Sequence, residues 1–180
     1  MIPTPLHPAL VHLPLGLAFI LPALALGFAW AAWKNPLKRR AWILIVILQA
    51  VLLGAGFVAM NTGERESERI ERAVPKAAIE RHEELAEQFL WVTGITLVVA
   101  AGAVVFRRPA AVRILTGTAV VGTLLVTAAA LRVGHAGGQL VYVHNAGAAY
   151  ALGNRALAQV PGEQPNIVKS AGTIEDRDDK

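Results

Sequence analysis

Five histidines, His7, His12, His82, His135 and His144, carry most of the chemical capacity of this 180-residue chain. Each stands beside the end of a long apolar segment. A neutral imidazole ligates iron, copper and zinc alike, and it also serves as an interfacial group with an apolar body and a polar tip. What separates the two roles is whether rings from distant segments meet at one depth. The chain has no cysteine, which excludes disulfides, thiolate metal sites, cysteine-ligated iron–sulfur clusters and covalent haem attachment. No H-E-x-x-H, no G-x-S-x-G and no phosphate-cradling glycine loop is present, and the RHEEL stretch around His82 is not a zinc-protease motif.

The elements that hold these rings read as membrane helices. Mean hydropathy is +0.48 and only 17% of residues are charged, too apolar for an ordinary soluble domain of this size. Charge-free runs extend over 10–33, 41–60, 89–106 and 114–131. Each approaches the roughly 20 residues that a helix needs to cross about 30 Å of hydrocarbon, where backbone groups must be paired within the segment. The first run has no Lys or Arg ahead of it and is too long for a signal-peptide core, so it reads as a retained span. The connections 34–40 and 107–113 are short and make neighbouring spans antiparallel. The expected fold is all-α, a four-transmembrane-helix up-down-up-down bundle over residues 1–152, with a polar, mobile tail over 153–180.

Between spans two and three, GERESERIERAV alternates charge at helical spacing, with Glu68 and Arg72 as an i, i+4 pair, and predicts a short extracytoplasmic helix ended by Pro75. KAAIERHEELAEQF extends span three outward without a break. After span four the glycines of GHAGGQLVYVHNAG punctuate an apolar strip. Residues 140–152 are too short to span and are expected at the interface or folded over the bundle mouth.

Threaded this way, all five histidines share one end of the bundle. His82 lies on a helix face with Ile79, Leu85, Ala86 and Phe89, whereas Glu83, Glu84 and Glu87 point elsewhere, so its ring is aimed at the bundle axis. His7 precedes Pro8 and either ligates or caps the helix. His12 falls one turn in, and Pro14 and Pro22 are expected to bend the span. Spans one and three lie diagonally, so His12 and His82 are expected to face each other. Two opposed imidazoles are what a six-coordinate b-type haem requires. Gly54, Gly56, Gly134, Gly137 and Gly138 offer room for a porphyrin, or simply close helix packing in lipid. His135 and His144, flanked by Gln139, Tyr142 and Asn145, complete a second site or hydrogen-bond the loop.

The segments HPALVHLPLG at the N-terminus, NTGE closing span two, the histidine opening span three and GGQLVYVHNAG after span four resemble the DUF2231 family of bacterial four-helix membrane proteins, over roughly residues 5 to 150. The resemblance implies the same fold and marks His7, His12, His82 and His144 as the motif histidines, with Gly137 and Gly138 beside them. His135 falls at a less characteristic position. The redox-rich surroundings of similar domains favour haem. This chain carries Leu13 where phenylalanine is common and Asn145 where glycine is common.

The combined expectation is a b-type haem protein carrying electrons between a quinol or other membrane partner and a periplasmic cytochrome or similar acceptor, rather than a stand-alone enzyme. Copper or zinc on the same histidines is the alternative, and a non-catalytic accessory subunit of a larger membrane complex is a third reading. Lys34, Lys38, Arg39, Arg40, Arg107, Arg108 and Arg113 put the tight loops on the cytoplasmic side by the positive-inside rule. Both termini and the histidines then face outward from a bacterial inner membrane. Lipid is the expected surrounding, with homo- or hetero-oligomers open and no nucleic-acid partner.

Overall fold

The computed structural model describes residues 7–35, 40–71 and 74–148. Among these the chain is helical, with α1 (His7–Leu10), α2 (His12–Lys34), α3 (Trp42–Ile70), α4 (Lys76–Val105) and α5 (Pro109–Tyr142) in order. The stretches 7–34, 42–67, 76–105 and 109–142 are long and apolar enough to cross a membrane. α2 packs on α3 and α5, and α4 packs on α3 and α5, which closes a four-helix ring with α2 and α4 on its diagonal.

The inward residues follow a seven-residue period. On α3 they are Trp42, Ile45, Gln49, Leu52, Gly56 and Ala59, and on α5 Val112, Thr116, Ala119, Thr123, Val126 and Ala130. Steps of three and four are the left-handed bundle packing of antiparallel helices. The core is made of small residues, Ala18, Ala25 and Ala29 on α2 facing Ala100, Ala103 and Ala119, because lipid tails are as apolar as leucine and close backbone approach is what favours association. An added Cβ on Gly122 would lie 2.7 Å from Thr96 Oγ1, so α4 and α5 touch almost backbone to side chain there. The large apolar residues turn outward: Trp91, Ile95, Val98, Ile114 and Leu125 are exposed to what would be lipid.

Two buried side chains donate across helices, although Gln49 Oε1 has no partner. Trp42 Nε1 donates to the Ala100 carbonyl at 3.0 Å, and buried Gln49 donates Nε2 to the Thr93 carbonyl at 3.3 Å. Pro14 and Pro22 of the first span act differently. Pro14 has no N–H for the Leu10 carbonyl, and the helix assignment is interrupted at Val11, separating α1 from α2. Pro22 lies inside α2 without ending it. The Ala18 carbonyl that Pro22 cannot serve instead accepts Thr127 Oγ1 from α5 at 2.6 Å.

Three features differ from the sequence expectation. The charged GERESER segment is helical, but it continues α3 rather than forming a separate middle-loop helix, because no proline breaks the hydrogen bonding before Glu71 and Gly63 is carried inside the helix. The Glu68–Arg72 pair lies outside the described side chains. α5 does not stop near Leu131: it runs unbroken through Gly134, Gly137 and Gly138 to Tyr142, about 51 Å at 1.5 Å per residue. Packing of Ala136 and Leu140 against α4 outweighs the glycine propensity cost of about 1 kcal/mol each. The strip expected to fold over the mouth is therefore helix as far as Tyr142, and residues 149–152 and the 153–180 tail lie outside the described residues.

Candidate functional site

Two histidines from distant parts of the chain meet at one end of the bundle, and the pair is His7 with His82. The ring centroids are 6.2 Å apart with planes at 89°. His7 opens α1 and is held against the outer extension of α3. Its ring Nδ1 is 2.7 Å from the Ala59 carbonyl, and its backbone N–H donates to Glu66 Oε1 at 3.2 Å. A carbonyl only accepts, so the bond puts the proton on Nδ1 and leaves Nε2 of a neutral ring with its lone pair free to ligate. Thr62 Oγ1 stands 3.5 Å from the same nitrogen.

His82 lies two turns into α4, on the stripe that includes buried Ile79, Leu85 and Phe89, as the helical period predicts. Its ring approaches the Val133 backbone of α5 closely enough to hydrogen-bond it, while Nδ1 is buried with no partner. A buried polar nitrogen without a partner is costly, on the order of 1–3 kcal/mol, and calls for an explanation, a bound ion or water among them; Gln49 Oε1 in the bundle core is open in the same way. Val74, Ile79, Leu140 and Ala146 form a small apolar cluster over this end of the bundle, which shields the α4–α5 side of the site from water.

Two glycines seat the rings. An added Cβ on Gly63 of α3 would lie 3.0 Å from His7 Cε1, and one on Gly137 of α5 would lie 3.2 Å from His82 Cε1. Both are tighter than ordinary contact, so any side chain at either position would press on an imidazole. Gly138, its neighbour, and Gly134 meet nothing within 4 Å. Gly56 packs on Leu90 and Phe89, which is plain helix contact, and Gly54 meets nothing either.

The remaining histidines do not join the pair. His12 is exposed, with Nδ1 3.3 Å from the Ala9 carbonyl of its own helical turn. The expectation that it faces His82 fails for a rotational reason. Five residues of helix turn through about 500°, so His7 and His12 point about 140° apart, and only one can face inward. His7 falls on the inward stripe, seven residues before Pro14 and fourteen before Leu21, both buried in the structure. His135 is exposed on α5, with Nε2 3.2 Å from Gln139 Nε2 one turn on. His144 is half-buried just past the helix, its backbone N–H closing onto the Gln139 carbonyl at 3.0 Å. Asn145 follows with φ of 55°, the left-handed region that glycine and asparagine tolerate best. Gly63 and the Ala59 carbonyl were missed in the sequence; NTGE pointed at the first, and a backbone acceptor has no residue-type signal.

The 6.2 Å separation with perpendicular planes is an edge-to-face ring contact. Imidazole suits iron, copper and zinc alike, and these two rings would be the protein's donors to an ion or haem held at this end. Among the described residues no group of three or more His, Cys, Asp or Glu side chains is arranged to hold an ion. A family model described as a predicted membrane protein, DUF2231, matches residues 3–150. No protein with a curated description and no solved structure matches the chain.

Proposed function

Because this chain belongs to the DUF2231 family of membrane proteins, we propose that its four-helix bundle serves as a haem b protein, with His7 and His82 as the residues that would hold the haem and electron transfer as the activity. The observation that carries this reading is the donor set: two imidazoles 6.2 Å apart, one nitrogen buried without a partner, and no third protein donor arranged with them among the described residues. Zinc and copper sites ordinarily draw three or four donors from the protein. A haem iron takes four nitrogens from its own porphyrin and needs two from the chain.

When bound, the haem supplies one-electron chemistry. The chain's own residues do the rest. The Ala59 carbonyl fixes the His7 tautomer and orientation, Gly63 and Gly137 let α3 and α5 approach the rings, and the apolar cluster at this end would limit water around a bound haem, a lever on potential. The pair stands about 35 Å along α4 from Val105 at 1.5 Å per residue, just past a hydrocarbon layer of about 30 Å. That depth suits exchange with a quinol headgroup in the membrane and with an acceptor on the same side, which the basic loops at the other end assign to the periplasm by the positive-inside rule.

The test is the visible spectrum of the full chain purified in detergent, oxidised and dithionite-reduced, with iron measured per chain. A Soret band that His7→Ala and His82→Ala each abolish and His12→Ala leaves intact is the expected result. A wild-type protein with no Soret band and no iron overturns the proposal, and copper or zinc in iron's place reassigns the same two imidazoles to a bare ion.

A further inference from the structure

The opposite end of the bundle carries a second site with different chemistry. Between the end of α2 and the start of α5, Trp30, Trp33, Lys34, Arg113 and Ile114 line an open groove of about 580 Å³. Trp33 is fixed there by its Nε1 donating to Thr116 Oγ1 at 2.9 Å. Trp30 is 61% and Ile114 67% exposed, so the groove opens towards the surrounding lipid. Lys34 is the last residue of α2, and Arg113 lies in the second turn of α5. The apolar wall and the two cations therefore meet at the depth where hydrocarbon gives way to headgroups, the level at which tryptophan is favoured.

Among the described residues these cations have no carboxylate partner. The sequence contains no Asp or Glu over residues 1–63 or 88–162, and the acidic residues of α3 and α4 lie at the histidine end. Arg40, Arg107 and Arg108 add to the same excess. We propose that this groove seats an anionic glycerophospholipid, its phosphate between Lys34 and Arg113 and its glycerol and upper acyl chain against Trp30, Trp33 and Ile114. The charge calls for an anion, and the apolar wall beside it calls for one with a hydrocarbon chain attached. The site is independent of the haem reading.

The chain's few tryptophans make the test direct. Trp42 is 1% exposed and Trp91 73% exposed, so in a Trp91→Phe background Trp30 and Trp33 report on contact with bromine-labelled lipid. Competition in mixed micelles is expected to give brominated phosphatidylglycerol a preference of about ten-fold over brominated phosphatidylcholine, from two cations at the surface. Lys34→Gln with Arg113→Gln should bring the ratio to about one with the helical circular dichroism unchanged. A ratio near one in the parent protein, or an unchanged ratio in the double variant, overturns the proposal. Inorganic phosphate, compared with chloride at equal ionic strength, should leave the preference intact; if phosphate alone removes it, the groove holds a free anion and the lipid assignment falls.

Discussion

Adjacent glycines on α5 offer a controlled perturbation of the histidine pair. Gly137→Ala places a methyl 3.2 Å from His82 Cε1, whereas Gly138→Ala places one where nothing lies within 4 Å. Both substitutions gain the helix propensity of alanine over glycine, about 0.5–1 kcal/mol. Only the first must also push an imidazole by a few tenths of an ångström. Overpacking of a well-packed site costs about 1–3 kcal/mol, and the ring, on two rotatable bonds, should absorb it at the lower end. Gly138→Ala is therefore expected to be stabilised by up to about 1 kcal/mol and Gly137→Ala to be neutral or weaker than the parent, a separation of about 1–2 kcal/mol between neighbours. For a chain of this size that is roughly 2–8 °C in thermal unfolding, read by circular dichroism in one detergent at one heating rate. Haem content per chain should fall in Gly137→Ala and stay unchanged in Gly138→Ala. Equal melting and equal haem content in the two variants would refute the claim that α5 seats His82 by close approach at Gly137.

Two further expectations rest on other parts of the fold. Thr127→Val removes the hydroxyl that serves the Ala18 carbonyl left open by Pro22, at a cost of about 1–2 kcal/mol. Pro22→Ala restores the backbone donor, so the same Thr127→Val change in that background should cost about 1 kcal/mol less; equal losses in both backgrounds would show that the two residues do not share that carbonyl. The absence of cysteine permits single-cysteine mapping of orientation. Ala9→Cys at the exposed histidine end should react with an impermeant maleimide on intact cells, and Ala110→Cys at the exposed basic end only after lysis; the reverse pattern would invert the topology.

Much of the fold was legible because the membrane imposes a one-dimensional constraint: backbone must be paired in lipid, so span number, helicity and the short antiparallel connections followed from runs of apolar residues and the charges between them. The orientation of His82 was legible for the same kind of reason, since Ile79, Leu85 and Phe89 define an inward face by period alone. The helix boundaries were not. Glycines read as punctuation at 134, 137 and 138, yet α5 passes through them because contacts from Ala136 and Leu140 to the rest of the bundle outweigh a local preference.

Which rings would meet was decided only by tertiary structure. The sequence put five histidines at one end, and the rise and turn of a helix allow only one of His7 and His12 to face inward. Selecting between them required knowing that Ala18 and Leu21 lie on the buried stripe of α2 and that α3 offers the Ala59 carbonyl and the space beside Gly63 to His7. Backbone acceptors and the space beside a glycine have no residue-type pattern of their own. They exist only once neighbouring helices are packed, and for that reason chemistry at one end of the bundle could be read from composition while its ligand pair could not.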